Sequence, residues 1–337
     1  MVLSPFWWAP VLLAIALLAS LVLLPRDGAV ACPQGRTLNI VAHPDDDLLF
    51  LSPDLLHDIQ GGRCVRTVFL SAGDFNSGRE YWEAREVGAR AAYAQMSKVA
   101  EAWTQGDAGI RDHPLLVFTL TDRPGISLIF LRLPDGSMDG SGFPLNDYES
   151  LAKLWNESIP TLHSVDGSAQ YTKRTLIETL EAIMTTYRPD QIRTQNFLGS
   201  IGDGTDHSDH YASAYFASAA THHYDRPHEF TGYRGYDISL QPANVFEPDL
   251  TEKQTAFLTY AQHDVSVCQT VSACAQQPYA AWWARQYPIT ASSAAVQRVQ
   301  ETVPSWRGGY GEAWRTSRGA RLVDEPGGVG HLLQSPP

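Results

Sequence analysis

Positive charge is scarce in this sequence: 25 Lys and Arg stand against 37 Asp and Glu, for a net charge of −12. A phosphate backbone is gripped by clustered cations, so this balance argues against a nucleic-acid partner. Cysteine is scarce too. There are four, Cys32, Cys64, Cys268 and Cys274, and none shows the C-x-x-C spacing of a structural zinc site. The even set pairs most naturally as 32–64 and 268–274, which an oxidising compartment would allow. No internal repeat is present. What remains is 337 residues with 44% hydrophobic content, enough to bury a sizeable core in one large domain or two ordinary ones.

The N-terminus departs from globular composition. "FWWAPVLLAIALLASLVLLP" (6–25) is about as long as a bilayer-crossing helix needs to be. Residues 1–31 are read as a signal peptide, because Ala29 and Ala31 fit an A-x-A processing site just before Cys32, and the protein is then secreted. The competing reading is an uncleaved membrane anchor over 6–25, favoured by the missing basic leader and by Arg26 and Arg36 on the far side. A lipoprotein site at Cys32 fits less well, since the apolar stretch ends six residues before it.

Beyond the leader, strand and helix signals alternate. "RTLNIVAHP" (36–44) and "RCVRTVFLSAG" (63–73) are β-branched apolar runs ending in polar turns. "SGREYWEAREVGARAAYAQM" (77–96) and "TKRTLIETLEAIMTTY" (172–187) carry helical periodicity, the second stopped by Pro189. "LLVFTLT" (115–121) and "SLIFLRL" (127–133) read as a hairpin across "DRPG", and "DQIRTQNF" as a further strand. This order predicts an α/β, Rossmann-like three-layer fold with a mainly parallel sheet, in one domain over 32–305 followed by a loosely packed extension, 306–337. The Gly, Pro, Asp and Ser of 133–147 mark a surface loop of the kind that rims active sites. Trp282 and Trp283 read as packing more readily than as a sugar platform.

Two polar clusters stand out. In "AHPDDD", His43 and three successive carboxylates, Asp45, Asp46 and Asp47, follow the first strand, where parallel sheets bind ligands. They could cap a helix running through "LLFLSPDLLHDI", but one Asp suffices for that. Three adjacent carboxylates repel one another, and a divalent metal with His43 as a nitrogen ligand offsets them. The second cluster, "GDGTDHSDH" (202–210), leads from a strand into an alanine-rich helix and places His207 and His210 three apart, interleaved with Asp206 and Asp209. Together the two loops offer the mixed His and Asp donors of a catalytic zinc site with an open position.

"AHPDDD" followed about 160 residues later by "HSDH" resembles the signature pair of the LmbE-like, or PIG-L, family of zinc-dependent de-N-acetylases, A-H-P-D-D-E and H-x-D-H. The likeness spans roughly 37–265. It implies one catalytic zinc held by His43, Asp46 and His210, with Asp45 as general base. His207 would stabilise the tetrahedral intermediate, with Asp209 as its neighbouring carboxylate. Asp47 departs from the family, which has Glu there.

The residue types suit amide hydrolysis independently of the name. Zinc lowers the pKa of bound water to about 7; Asp45, not spent on the metal, can take a proton and return it to the leaving amine. His207 as imidazolium would offset charge on the acetamide oxygen, worth about 2.7–4 kcal/mol per donor. The expected substrate is an N-acetylated amino sugar, most naturally an N-acetylglucosaminyl glycoconjugate, cleaved to acetate and a free amine. Alternatives are hydrolysis of a larger acyl amide, or a glycosyltransferase using "DDD" as a D-x-D metal motif. Asp74 is a candidate rim residue. Arg79 and Arg85 are as readily solvated helix residues as substrate contacts, His263 is core or rim, and His222, His223 and His228 read as a surface loop.

Overall fold

The computed structural model describes residues 30–110 and 115–290. The leader up to residue 29 and the extension after 305 lie outside the described residues. Strand β1 (Arg36–Val41) is followed by a π-helical turn (Asp47–Leu51) and helix α1 (Asp54–Gln60), then β2 (Cys64–Ser71), α2 (Arg79–Met96), β3 (Trp103–Asp107), β4 (Leu116–Leu120) and β5 (Ile126–Leu133). Next come α3 (Leu151–Trp155), β6 (Leu162–His163), β7 (Gln170–Tyr171), α4 (Lys173–Tyr187), β8 (Gln191–Gln195), α5 (Ser208–Thr221) and β9 (Glu229–Tyr233). The described chain closes with α6 (Asp249–Ala261), α7 (Val271–Cys274), α8 (Tyr279–Trp283) and β10 (Pro288–Thr290).

Eight strands form one sheet in the order β10-β9-β8-β1-β2-β5-β4-β3, and β6 with β7 forms a separate small pair. Strands β9, β8, β1, β2 and β5 run parallel, while β10, β4 and β3 are antiparallel additions at the edges. The expected hairpin of β4 and β5 forms.

Alternate strand residues feed different cores. Val41, Val65, Phe69, Ile126 and Leu128 join the cluster built from α1, α2 and α6. Leu38, Ile40, Val68, Leu70 and Ile129, one position out of phase, are equally buried but outside that cluster. Period-two side chains buried on both sides mean a sheet covered on both faces, the three-layer arrangement expected. Helix α5 is buried nearly all round, which its run of Ala and Ser permits by letting neighbouring backbone come close.

Chain order runs from β1 to β2 and β5 on one side and returns to β8 and β9 on the other. The switch therefore falls between β1 and β8, and the crevice beyond their carboxyl ends is where such sheets bind ligands.

One local expectation is corrected. The helix imagined through "LLFLSPDLLHDI" is not continuous: the π-helical turn ends at Leu51, Ser52–Pro53 follows with a cis peptide, and α1 begins at Asp54. Asp46 occupies the cap position but makes no capping bond with its side chain, so capping does not explain its charge. Trp283 is fully buried and Trp282 stacks on Tyr236 at 4.9 Å, which is packing. Both disulfides join the expected pairs, Cys32–Cys64 and Cys268–Cys274, and suit an oxidising compartment. Among the described residues no helix is long and apolar enough to cross a membrane.

Candidate active site

The carboxyl ends of β1 and β8 are tied by Gln195, whose Oε1 accepts from the Ala42 amide at 2.9 Å. From there the chain folds back: the Asp46 amide donates to the His43 carbonyl at 3.2 Å, and Asp46 Oδ2 accepts from the His43 amide at 2.6 Å. This turn aims the His43 and Asp46 side chains toward the start of α5. Asp46 Oδ2 lies 3.1 Å from His43 Nδ1, and its Oδ1 lies 2.9 Å from His210 Nε2. One ligand atom from each of His43, Asp46 and His210 falls within 4.8 Å of the others, and all three residues are buried.

Hydrogen bonds select which nitrogens face this space. His210 Nδ1 is 2.7 Å from Asp206 Oδ1, which leaves the buried Nε2 facing Asp46 Oδ1. His43 Nε2 is 3.3 Å from Asp209 Oδ2, which leaves Nδ1 facing Asp46. Each imidazole is thus oriented by a carboxylate behind it, the usual support of a metal-binding histidine. Burial opposes charge on both rings, yet Asp206 and Asp46 push His210 up to about 10, and Asp46, Asp209 and Asp135 hold His43 well above its ordinary value. Burial likewise works to raise Asp46, but His210 and His43 hold it well below the carboxylate range.

Asp45 turns the other way. Its Oδ1 accepts from Arg85 Nη2 at 2.7 Å, and burial raises it to about 6 against the opposing pull of Arg85. Asp47 leaves the site altogether: fully buried, it accepts from the Tyr93 hydroxyl at 2.5 Å and the Leu48 amide at 3.0 Å, and burial raises it to about 8.

His207 is itself the cap of α5, its Nδ1 accepting from the Asp209 amide at 3.2 Å. With Nδ1 an acceptor, only Nε2 carries a proton. Burial pushes this ring down to about 4, with the His43 charge adding to the effect. The geometry and the burial of the ring thus both favour its neutral form over the imidazolium expected from sequence. Asp209 also differs from expectation: its carboxylate is closer to His43 (3.3 Å) than to His207 (3.9 Å). Gly136 donates its amide to Asp209 Oδ2 at 2.8 Å, and a Cβ there would meet Asp209 Oδ1 at 2.4 Å, so only glycine permits the approach.

The match to the family model described as PIG-L, GlcNAc-PI de-N-acetylase, runs over residues 38–221, from within β1 to the end of α5, and takes in both clusters. The chain belongs to the PIG-L family. No curated protein matches it. Similar solved structures include the zinc-inhibited form of teicoplanin deacetylase Orf2, 15% identical over 67% of this chain and 84% of that one, with a TM-score of 0.40. They also include N,N'-diacetylchitobiose deacetylase from Pyrococcus horikoshii, 13% identical over 68% of this chain and 70% of that one, TM-score 0.39. A third is GalB, the 4-carboxy-2-hydroxymuconate hydratase from Pseudomonas putida, 12% identical over 74% and 82%, TM-score 0.41. At that distance none of them assigns a role or a substrate to a residue of this PIG-L protein.

Three site residues went unassigned in the sequence. Asp135, two residues past β5, puts Oδ1 at 3.6 Å from His207 Nε2, and His43, Asp135, His207 and Asp209 form a second group with ligand atoms within 4.8 Å. Its signal was positional: an Asp just beyond a parallel strand, opening the Gly- and Asp-rich loop. Arg85 is buried, not solvated, and donates to Tyr260 and the Gly73 carbonyl as well as to Asp45. Asp206 braces His210. Asp74 is buried behind the rim, accepting from the Asp135 amide and from Asn146, both at 2.8 Å. Arg79 is exposed and pairs with Glu83, and His222 and His223 are exposed, outside the site.

Proposed function

We propose that this PIG-L family member is a zinc-dependent de-N-acetylase that removes the acetyl group from an N-acetylated amino sugar, most naturally an N-acetylglucosaminyl glycoconjugate. The observation that carries the reading is the buried His43, Asp46 and His210 triplet, with ligand atoms within 4.8 Å of one another. Two imidazoles and one carboxylate, each oriented from behind, are a donor set suited to zinc with an open position. Bound there, zinc supplies Lewis acidity toward the water and the amide carbonyl.

The chain's own residues divide the remaining work. Asp45, held by Arg85, takes a proton as water oxygen bonds to the carbonyl carbon, and delivers it to nitrogen as the C–N bond breaks. The products are acetate and the free amine. His207 donates from Nε2 to the carbonyl oxygen as negative charge builds there, and needs no net charge to do so. Asp209 accepts from His43 and keeps its Nδ1 free for the metal. The D-x-D transferase reading fits poorly, because Asp45 and Asp47 are committed to Arg85 and Tyr93 and diverge. Export with cleavage after Ala31 accords with the two disulfides.

Metal analysis coupled to acetate release from a panel of N-acetylated sugars tests the proposal. The expected result is about one zinc per chain, activity lost to a chelator and restored by zinc. Absence of any bound or activating divalent metal overturns it.

A further inference from the structure

We propose that the protein has a second ligand site, for a small oxyanion, at the edge of the sheet opposite the catalytic residues. A cavity of about 390 Å³ lies there, lined by Arg36, Arg66, Arg188, Ser127, Tyr187 and the Cys32–Cys64 disulfide, among others. Arg36 opens β1, Arg66 sits near the start of β2, Ser127 is its register partner near the start of β5, and Tyr187 ends α4. All belong to the amino ends of the parallel strands, or to the helix end beside them, whereas the catalytic residues follow the carboxyl ends.

Among the described residues, no carboxylate lies within ion-pair distance of the side chains of Arg36, Arg66 or Arg188, in a protein whose net charge is −12. Asp190, the nearby acid, is engaged by the Arg63 guanidinium and by the Arg36 amide at 2.8 Å. Arg66 spends Nε on Ser127 Oγ at 2.9 Å and lays its guanidinium over the Tyr187 ring at 4.5 Å, and among the described residues neither Nη group has a hydrogen-bond partner. Burial and the neighbouring Arg36 both work against its charge.

A second observation points the same way. The Tyr187 hydroxyl is buried with no hydrogen-bond partner among the described residues, close enough to Arg66, Arg36 and Arg63 to feel all three charges. Burial holds its proton on, so it is a donor without an acceptor. Buried donors and buried cations both cost free energy until they are paired. One oxyanion, a carboxylate or a phosphate, accepts from the planar guanidinium fork of Arg66 and from Tyr187 at once, with Arg36 and Arg188 adding charge. The cavity is of ordinary size for a small-molecule site.

Calorimetric titration of the zinc-loaded full chain with inorganic phosphate, and separately with succinate, at matched ionic strength in chloride, tests this without reference to activity. Phosphate can also reach a metal at the catalytic edge, so the titrations are repeated on Asp46→Asn. The expected result is saturable binding of at least one of the two anions, retained in Asp46→Asn and weakened at least tenfold by Arg66→Gln and by Tyr187→Phe. Tyr187→Phe keeps the ring beneath Arg66 and serves if Arg66→Gln does not fold. Binding of phosphate alone assigns the site to phosphoryl groups, and binding of succinate assigns it to carboxylates. No saturable binding, binding lost in Asp46→Asn, or binding indifferent to both distal substitutions overturns the proposal.

Discussion

Arg85 Nη2 lies 2.7 Å from Asp45 Oδ1, and the same guanidinium holds the Gly73 carbonyl at 2.6 Å and lies 3.1 Å from Asp264. One cation from α2 thus fixes the carboxylate proposed as base and neutralises a second buried acid. Arg85→Gln is expected to leave zinc in place, because Arg85 touches none of the proposed ligands, while lowering kcat at least about tenfold through loss of alignment. Two buried carboxylates left without their cation should also cost about 3–5 kcal/mol of stability. Zinc content, kcat and denaturant unfolding of the one variant check all three; an unchanged kcat would remove Arg85 from the site.

The parts of the site legible in sequence were those written locally. His43, Asp45 and Asp46 follow a recognisable strand, and His207, Asp209 and His210 open a recognisable helix, so a strand-then-polar-turn pattern placed both at one sheet edge. Asp135 escaped because its position depends on β5 lying beside β2, a long-range pairing that no spacing in its loop encodes. Arg85 escaped because α2 is rich in Arg and Glu, and only its packing against α6 decides which of them turn inward. Asp47 looked like a third member of the cluster; a π-helical turn, which helical periodicity does not anticipate, swings it toward Tyr93.

Asp206 is the support of His210. It accepts from His210 at 2.7 Å, from the His207 amide at 2.9 Å and from the Tyr236 amide at 3.1 Å, all at Oδ1. Asp206→Asn keeps the shape and removes the charge behind the imidazole, so zinc affinity should fall by about 10–100-fold. Competition with a chromophoric chelator measures it. Activity at saturating zinc should recover, which separates a lost metal from a lost fold.

Asp47 and Asp46 are adjacent but face different surroundings. Asp47→Asn can still accept from the Leu48 amide and donate to Tyr93, whose hydroxyl also meets Thr67. Zinc content should be unchanged and kcat within about threefold of the parent, since the amide fills the same volume and satisfies the same partners. Asp46→Asn, by contrast, should lose zinc. Equal zinc loss in both variants would count against the division of the three carboxylates.

Lys253, on α6, is fully buried and donates to the carbonyls of Trp282 at 3.1 Å and Arg285 at 2.8 Å. It pins the segment whose Trp282 stacks on Tyr236, and the Tyr236 ring in turn sits 5.0 Å from that of His210. Burial lowers its pKa from 10.5 to about 7. Between these values the unfolded chain holds the proton and the folded chain does not, so this group makes stability rise with pH across that window. Below about pH 7 both states are protonated and the cost of the buried charge is fully present. Lys253→Met removes the titration. The unfolding free energy of the parent minus that of the variant should therefore climb from pH 7 to pH 10 with a slope approaching about 1.4 kcal/mol per unit. Denaturant unfolding of both proteins at pH 6.5, 8 and 9.5 measures the difference. A difference that stays level over this range would mean that Lys253 keeps its proton in the fold and that the two carbonyls, not burial, set its state.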